Sequence, residues 1–188
     1  MRINAGNLKK SEFILKDDSI WRVEKAEFYA PGKGSALMRS RVKEIKSGKT
    51  MDLTFKSNQT IETVDINTIE MQYLYKDTQK LYFMNERTYE QIELPLESAG
   101  NIAHYLKEGD KLFILLYNGE AISLRAPQSV RLKVIKADEA IKGNTVSNAK
   151  KPVVVENRVT VLVPLFIKVG DVVIINPETG EYIGREGK

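Results

Sequence analysis

The sequence predicts a mainly β protein that is built from three small β-barrel domains. Short strand-like runs separated by turn residues dominate the 188-residue chain, and one segment has a convincing helical pattern. The runs also fall into three groups of similar length. Because 42% of the residues are hydrophobic, each group has enough apolar side chains for a core. We therefore place the domains at residues 1–64, 65–128 and 129–188.

The first group predicts a small antiparallel barrel. Its expected strands cover residues 13–15, 20–29, 36–45 and 51–55, with turns at 17–19 and 47–48. In the last of these strands Met51, Leu53 and Phe55 alternate with polar residues. Such alternation is typical of a strand that is buried on one face.

The second and third groups each predict a five-stranded barrel. In the second, strands at 71–75, 81–84 and 88–92 precede a helix at 98–107, and strands at 112–117 and 121–124 follow. A helix after the third of five strands fits an OB-type barrel. The third group has strands at 130–134, 153–155, 159–163, 171–175 and 181–184. No Ser/Gly-rich linker separates the groups, so we expect a fixed arrangement of the domains.

The composition excludes several kinds of chemistry. The chain has no cysteine and a single histidine, His104, so no disulfide, thiolate nucleophile or histidine-cluster zinc site can form. We expect no metal site and no catalytic residues. No apolar stretch approaches the length of a membrane span, and the N-terminus has no leader-like apolar segment. We expect a soluble, cytoplasmic protein.

Charge is distributed unevenly along the chain. Residues 1–64 carry a net charge of +5, residues 65–128 carry −4, and residues 129–188 carry +3. Basic domains at both ends fit a polyanionic partner such as RNA, because each phosphate contact releases counterions. An ordinary solvated surface is an equally good interpretation of the charge alone.

The most unusual local feature is the segment Pro31-Gly32-Lys33-Gly34 between two predicted strands. Pro31 fixes its φ angle, and the two glycines tolerate turn conformations and add no side chains beside Lys33. Lys33 is therefore expected at the tip of an exposed hairpin. The spacing does not fit a Walker A loop, which also needs a following helix. On local grounds a plain surface turn is the alternative.

Three cations follow this tip at a period of two: Arg39, Arg41 and Lys43. In a strand they would lie on one face. That face could contact RNA phosphates beside the tip, or it could simply be solvated.

The segment from Pro31 to Ala36, followed by Arg39 and Arg41, resembles the hallmark loop of the bacterial elongation factor P family. This family is homologous to the hypusine-containing initiation factor of eukaryotes and archaea. Residues 71–75 and 88–91 resemble its central domain, and residues 163–167 and 180–185 resemble its C-terminal domain. The resemblance runs in order along nearly the whole chain.

The resemblance implies a fold and a function. The fold is a KOW/SH3-like barrel followed by two OB-fold barrels, in an L-shaped, tRNA-like arrangement. The function is that of a non-catalytic, monomeric factor that binds both ribosomal subunits between the peptidyl and exit tRNA sites. There it contacts the peptidyl-site tRNA and promotes peptide-bond formation at consecutive prolines. Lys33 is the position that a lysine-modifying enzyme extends covalently, and no separate cofactor is implied.

Further RNA-binding positions follow from the same resemblance. Gly143, Asn144 and Thr145 match a loop that usually has Gly-Asp-Thr and that approaches the exit-site codon. Tyr182 and Arg185 match a region that contacts small-subunit RNA, although Tyr182 could instead pack on its barrel. Asn157-Arg158 replaces a usual Thr-Gly, and Asn157 could adopt the left-handed conformation of that turn.

Two other functions remain open at this point. One is that of an elongation-factor-P-like paralogue with a different role. The other is general binding of single-stranded RNA by OB folds. Lys33 separates the elongation factor from the general RNA binder, since a general RNA binder has no need of a modified lysine at an isolated tip. Complementation of a strain that lacks the factor, with a polyproline reporter, separates all three functions.

Overall fold

The computed structural model describes residues 1–32, 34–137 and 149–187, and within these ranges it is mainly β. Its sixteen strands form three sheets. They are β1 (Arg2–Asn4), β2 (Phe13–Lys16), β3 (Ser19–Tyr29), β4 (Leu37–Glu44), β5 (Thr50–Lys56), β6 (Thr60–Val64), β7 (Asn67–Lys76), β8 (Lys80–Met84), β9 (Gln91–Pro95), β10 (Lys111–Tyr117), β11 (Glu120–Arg125), β12 (Val130–Ala137), β13 (Lys150–Val155), β14 (Thr160–Pro164), β15 (Val172–Ile175) and β16 (Tyr182–Arg185).

The first sheet has the strand order β1-β6-β2-β3-β4-β5, and its neighbouring strands are antiparallel. It surrounds a core that includes Ile14, Trp21, Val23, Met38 and Val42. The sequence predicted four of these six strands. It missed β1 and β6 because β1 has only three residues and β6 buries only one residue fully.

The second and third sheets have the same topology. Their orders are β11-β10-β7-β8-β9 and, read from the opposite edge, β16-β15-β12-β13-β14. When the strands are numbered within each domain, the second order is 5-4-1-2-3 and so is the third. Each closes around its own core, centred on Leu81 and Phe83 in the second domain and on Val155 and Ile175 in the third. The predicted five-strand layout of both domains is thereby confirmed.

Two predicted elements of the second domain need correction. The helix at 98–107 is instead a single α-helical turn, α1 (Leu96–Ala99), followed by a 3₁₀ segment, Gly100–His104. Gly100 has a φ of 56°, which ends the α-helical hydrogen bonding. The strand predicted at 88–92 begins only at Gln91, because the Asn85 side chain accepts the N–H groups of Arg87 and Thr88 and forms a turn.

Tyr105 joins the second domain to the third. It follows the 3₁₀ segment of the second domain, yet its ring is 4% exposed and packs in the core of the third. Nearby, the Asn101 side chain donates a hydrogen bond to the carbonyl of Glu178 over 3.3 Å. Burial raises the pKa of the Tyr105 hydroxyl above its ordinary value.

Polar contacts also join the second domain to the third. Lys107 donates to the Arg131 carbonyl and forms an ion pair with Glu156, and the pKa of the Glu156 carboxyl is lowered mainly by this lysine. Asn157 donates to the His104 carbonyl over 2.6 Å. The left-handed residue of this turn is Arg158, with a φ of 65°, and not Asn157 as the sequence suggested. Asn157 is thus used for contact between domains.

None of the helices in the described ranges is both long and apolar enough to span a membrane.

Because Tyr105 lies against Gly180, a side chain at Gly180 should lower the free energy of unfolding more than at other glycines with a positive φ. This glycine has a φ of +76°, and an added Cβ would lie 2.9 Å from the Tyr105 hydroxyl oxygen. We expect Gly180→Ala to destabilise the third domain by about 2–3 kcal/mol, from backbone strain and from the clash together. Hydrogen exchange of the β15 amide groups measures this loss.

Gly170→Ala is the matched control, because Gly170 has a similar φ of +91° but open space around the would-be Cβ. It should cost only the backbone strain, about 1–2 kcal/mol. Adding Tyr105→Phe to Gly180→Ala should recover part of the stability by removing the clashing oxygen. Equal losses for the two alanine variants would show that Tyr105 is not held against Gly180.

Candidate nucleic-acid interface

The candidate interface is built on the antiparallel pairing of β3 with β4. The paired residues run from Trp21 and Glu44 to Tyr29 and Leu37, with one β-bulge between Val23 and Lys25. Beyond the last pair the chain turns through residues 30–36. At about 3.3 Å per residue, the stretch from the bulge to Tyr29 carries this loop roughly 15–20 Å along the hairpin.

The loop at the end of the hairpin is exposed. A side chain at Gly32 would meet nothing within 4 Å, and one at Gly34 would meet only the Pro31 ring at 4.0 Å. Gly34 has a φ of +109°, a conformation that favours glycine, whereas Gly32 has no positive φ. Lys33 itself lies outside the described residues. Its two neighbours stand clear of the described part of the protein.

Strand β4 has a buried face and an exposed face. Met38, Ser40 and Val42 are buried, whereas Arg39 and Arg41 are exposed and Lys43 is partly exposed. The prediction that these three cations lie on one outward face is confirmed. Their contact with RNA stays a prediction.

Arg41 makes a bidentate ion pair across the outward face. Its Nε and Nη2 atoms donate to the two carboxylate oxygens of Asp52 over 2.8 and 3.0 Å. Arg41 and Asp52 are directly paired residues of β4 and β5. These hydrogen bonds lower the pKa of the Asp52 carboxyl and raise that of Arg41. A phosphate that approaches Arg41 therefore meets a guanidinium whose charge is partly offset by Asp52, although three of its five N–H donors are not used by that carboxylate.

Two more cations of the first domain also have carboxylate partners. The Lys43 ammonium lies 3.5 Å from Glu178 of the third domain, and that of Lys25 lies 2.6 Å from Glu27. Lys43 is partly exposed and the other three groups are exposed, so salt weakens both pairs.

Arg39 has a different kind of partner. Its guanidinium carbon lies 4.7 Å from the ring centroid of Tyr29, a cation–π contact. Among the described residues no carboxylate forms an ion pair with Arg39.

The two residues of the third domain that were predicted to bind RNA, Tyr182 and Arg185, lie in different environments. Tyr182 packs partly buried against the core of the third domain, and burial raises the pKa of its hydroxyl. Arg185 is exposed, lies 5.5 Å from the ring centroid of Phe166, and is 3.6 Å from an Asp171 oxygen. Tyr182 thus has the packing role that the sequence left open, and an RNA role for Tyr182 and Arg185 stays a prediction.

The remaining predicted positions lie outside the described residues. Gly143, Asn144 and Thr145 belong to the range 138–148, of which the structure gives no account. In the ranges that it does describe, no three acidic or histidine side chains converge as metal ligands would.

Sequence reasoning missed the partners of the cations. Asp52 could have been found, because it faces Arg41 once β4 and β5 are paired about their turn. Tyr29 could not have been identified from the sequence as a partner of Arg39, since an aromatic residue in a strand is more often a packing residue. Glu178 comes from another domain, and no local pattern brings it to Lys43.

Comparisons with known proteins agree with this architecture. Three family models match in chain order: "Elongation factor P (EF-P) KOW-like domain" at residues 4–61, "Elongation factor P (EF-P) OB domain" at 66–124 and "Elongation factor P, C-terminal" at 130–185. Together they define a three-domain translation factor and not a classical enzyme.

The chain belongs to the elongation factor P family. It is 37% identical to elongation factor P of Finegoldia magna over 97% of this chain and 99% of that protein. It is 38% identical to elongation factor P of Treponema denticola over 97% of this chain and 98% of that protein. The family resemblance found in the sequence is confirmed.

A solved structure supports the fold independently of sequence. A translation initiation factor eif-5a family protein from Naegleria fowleri superposes with a TM-score of 0.51 at 16% identity. The match covers 66% of this chain and 97% of that one.

The Arg41–Asp52 pair predicts a measurable titration. In Arg41→Gln we expect the lowered pKa of Asp52 to rise toward its ordinary value, because the largest cause of the shift is removed. Carboxyl-carbon NMR during an acid titration measures this pKa. A pKa lowered by folding stabilises the protein above the unfolded-state pKa, and that contribution disappears as pH falls through the folded-state pKa.

The control is Arg131→Gln, which removes the partner of Glu186 in the third domain and should leave Asp52 unchanged. An Asp52 pKa that is the same with and without Arg41 would contradict the pairing.

Proposed function

We propose that this protein is a ribosome-binding elongation factor that promotes peptide-bond formation at consecutive prolines. In this proposal it enters between the peptidyl and exit tRNA sites and positions the peptidyl-tRNA. Membership of the elongation factor P family supports the general role. The observation that carries the finer proposal is the hairpin loop, in which the two glycines that flank Lys33 in the sequence are exposed at the end of a basic domain.

The proposed mechanism is positioning, with the ribosomal peptidyl transferase performing the chemistry. Proline is a rigid reactant because its ring fixes φ, so a misaligned peptidyl end raises the barrier to transfer. Holding two reactants in an attack-ready geometry can lower a barrier by on the order of 7 kcal/mol. An extended lysine at position 33 would act by its reach and its hydrogen bonds, without acid–base catalysis.

The cationic face of β4 would hold the hairpin beside ribosomal or transfer RNA. Basic side chains that contact phosphates position a protein without reading base sequence. Arg39 is the cation of this face with no carboxylate partner among the described residues, whereas Arg41 and Lys43 already lie beside Asp52 and Glu178, whose negative charges oppose an approaching phosphate. We expect Arg39 to make the first of these contacts.

The two OB domains would complete an L-shaped, tRNA-like outline, with residues 143–145 and Arg185 directed at RNA of the exit site and the small subunit. A lysine-modifying enzyme would extend Lys33, and no separate cofactor is needed. The protein would act as a monomer in the cytoplasm.

Replacement of the tip lysine tests the proposal. We expect Lys33→Ala to abolish the rescue of ribosomes that stall at consecutive prolines, because the group that reaches the peptidyl end is lost. The measurement is complementation of a strain lacking elongation factor P, with a polyproline reporter. The fold should persist, since the residues on either side of position 33 are exposed.

Lys46→Ala is the matched control, because Lys46 is an exposed lysine in another turn of the same domain. It should support normal rescue, and circular dichroism should show the same β content for both variants. Full rescue by Lys33→Ala would refute the proposed role of the tip.

The modification predicts a mass change. Intact-protein mass spectrometry of natively expressed protein should show a mass increment, and peptide mapping should locate it at Lys33. An unmodified Lys33 in a protein that still rescues stalled ribosomes would refute the need for an extension. Efficient binding of unstructured RNA together with absent rescue would instead indicate a general RNA binder.

A further inference from the structure

The base of the hairpin loop carries an exposed aromatic–cation pair. Tyr29 is the last residue of β3, and 47% of it is exposed. The guanidinium of Arg39 lies over its ring at 4.7 Å. The family comparisons assign no role to Tyr29. A single exposed aromatic residue is ordinary in itself, so the contact with Arg39 is what distinguishes Tyr29.

Strand register places this pair on the outward face. Tyr29 pairs with Leu37 and Glu27 pairs with Arg39, so Tyr29 and Arg39 are diagonal neighbours on one face. Phe28 lies on the other face, because it pairs with the buried Met38. The two adjacent aromatic residues of β3 therefore point to opposite sides of the sheet.

The contact of Arg39 with an aromatic ring, and not with a carboxylate, determines which of its N–H donors are available to a ligand. A guanidinium has its N–H donors in the plane of the group, so stacking uses its face and leaves its edge free. The ion pair of Arg41 with Asp52 uses that edge, since two of its nitrogen atoms donate to the carboxylate. Arg39 forms no ion pair with a carboxylate among the described residues, so its N–H donors remain available to a phosphate, and its contact with the ring restricts the positions that the guanidinium can take.

We propose that Tyr29 is a positioning residue that holds the Arg39 guanidinium with its edge toward an RNA phosphate beside the tip loop. This inference rests on the proposed function, because it names the way in which the cationic face grips ribosome-bound RNA. A free arginine loses side-chain freedom when it binds, and a stacked arginine has lost part of it beforehand. Tyr29 therefore raises affinity for phosphate although it carries no charge.

The chemistry favours a phosphate over a base as the ligand. Two parallel N–H donors of an arginine edge match two phosphate oxygens, and such pairs are among the stronger hydrogen bonds of proteins. The surrounding face is basic, with Lys25, Arg39, Arg41 and Lys43 against Glu27 and Asp52 on the paired strands. A contact of this kind depends on salt and not on base sequence.

The test is a double-mutant cycle on full-length protein binding to 70S ribosomes that carry tRNA in the peptidyl site. Dissociation constants are measured over a range of salt concentrations for the wild type, Tyr29→Leu, Arg39→Gln and the double variant. We expect Tyr29→Leu to weaken binding about two- to fivefold, the range of an exposed cation–π contact. Arg39→Gln should weaken it further and reduce the salt slope by roughly one.

Two results distinguish positioning from a separate contact of the ring. In the Arg39→Gln background, Tyr29→Leu should have no further effect, because its only role is to orient that arginine. Tyr29→Leu alone should leave the salt slope nearly unchanged, because no charge is removed. Tyr29→Phe should bind like the wild type, since the ring is kept.

Phe28→Leu is the matched control, as it removes the neighbouring aromatic ring from the opposite face and should leave binding unchanged. The proposal is overturned if Tyr29→Leu binds like the wild type, or if its loss is the same with and without Arg39. The latter result would show that the ring contacts RNA by itself. Absence of ribosome binding by the wild type would overturn the proposed function, and this inference with it.

Discussion

The register between β3 and β4 is the constraint on which the candidate site depends. It carries the loop of residues 30–36 away from the core and decides which side chains face solvent. A slip of one residue would turn Arg39 and Arg41 inward and expose Met38 and Val42. The burial of Met38 and Val42 in the first core prevents this slip. The apolar packing of the domain thereby fixes the position of its cations.

Most cations on the outward face of β3 and β4 have carboxylate partners within the protein, and these partners reduce the attraction of that face for phosphate. Arg41 is held by Asp52, and Lys43 reaches Glu178 of the third domain. Each carboxylate offsets part of the charge that an incoming phosphate would meet, so part of the electrostatic attraction is already used within the protein. In the proposed contact with RNA, these carboxylates would weaken nonspecific binding and leave positive charge around the tip. The pair of Lys43 with Glu178 also joins the first domain to the third.

Sequence patterns predicted the fold better than the details of the site. Alternation at Met51, Leu53 and Phe55 gave a correct strand, and the period of two at Arg39 and Arg41 gave a correct exposed face. The predicted helix failed at Gly100, where one backbone angle outweighed an apolar pattern. Strands with few buried residues, such as β1 and β6, were missed for lack of periodic signal.

The partners of the site residues could not be predicted because they are set by tertiary contacts. Tyr105 shows this most clearly, since its sequence position is in the second domain while its ring packs in the core of the third. Glu178 reaches Lys43 through the same arrangement of domains. Tyr29 needed the strand register before it could be placed beside Arg39. The family resemblance identified Lys33 but gave no information about these contacts.

The central claim is that the hairpin loop reaches the end of the peptidyl-tRNA, and site-specific cross-linking tests it most directly. A photoreactive benzoylphenylalanine in place of the exposed Ser35 leaves Lys33 intact, and the same group at Lys46 reports on a turn at the far end of β4. On ribosomes halted at consecutive prolines, the label at position 35 should join the 3′ end of the peptidyl-site tRNA, and the label at position 46 should not. Cross-links from position 35 that map only to other RNA would contradict the account.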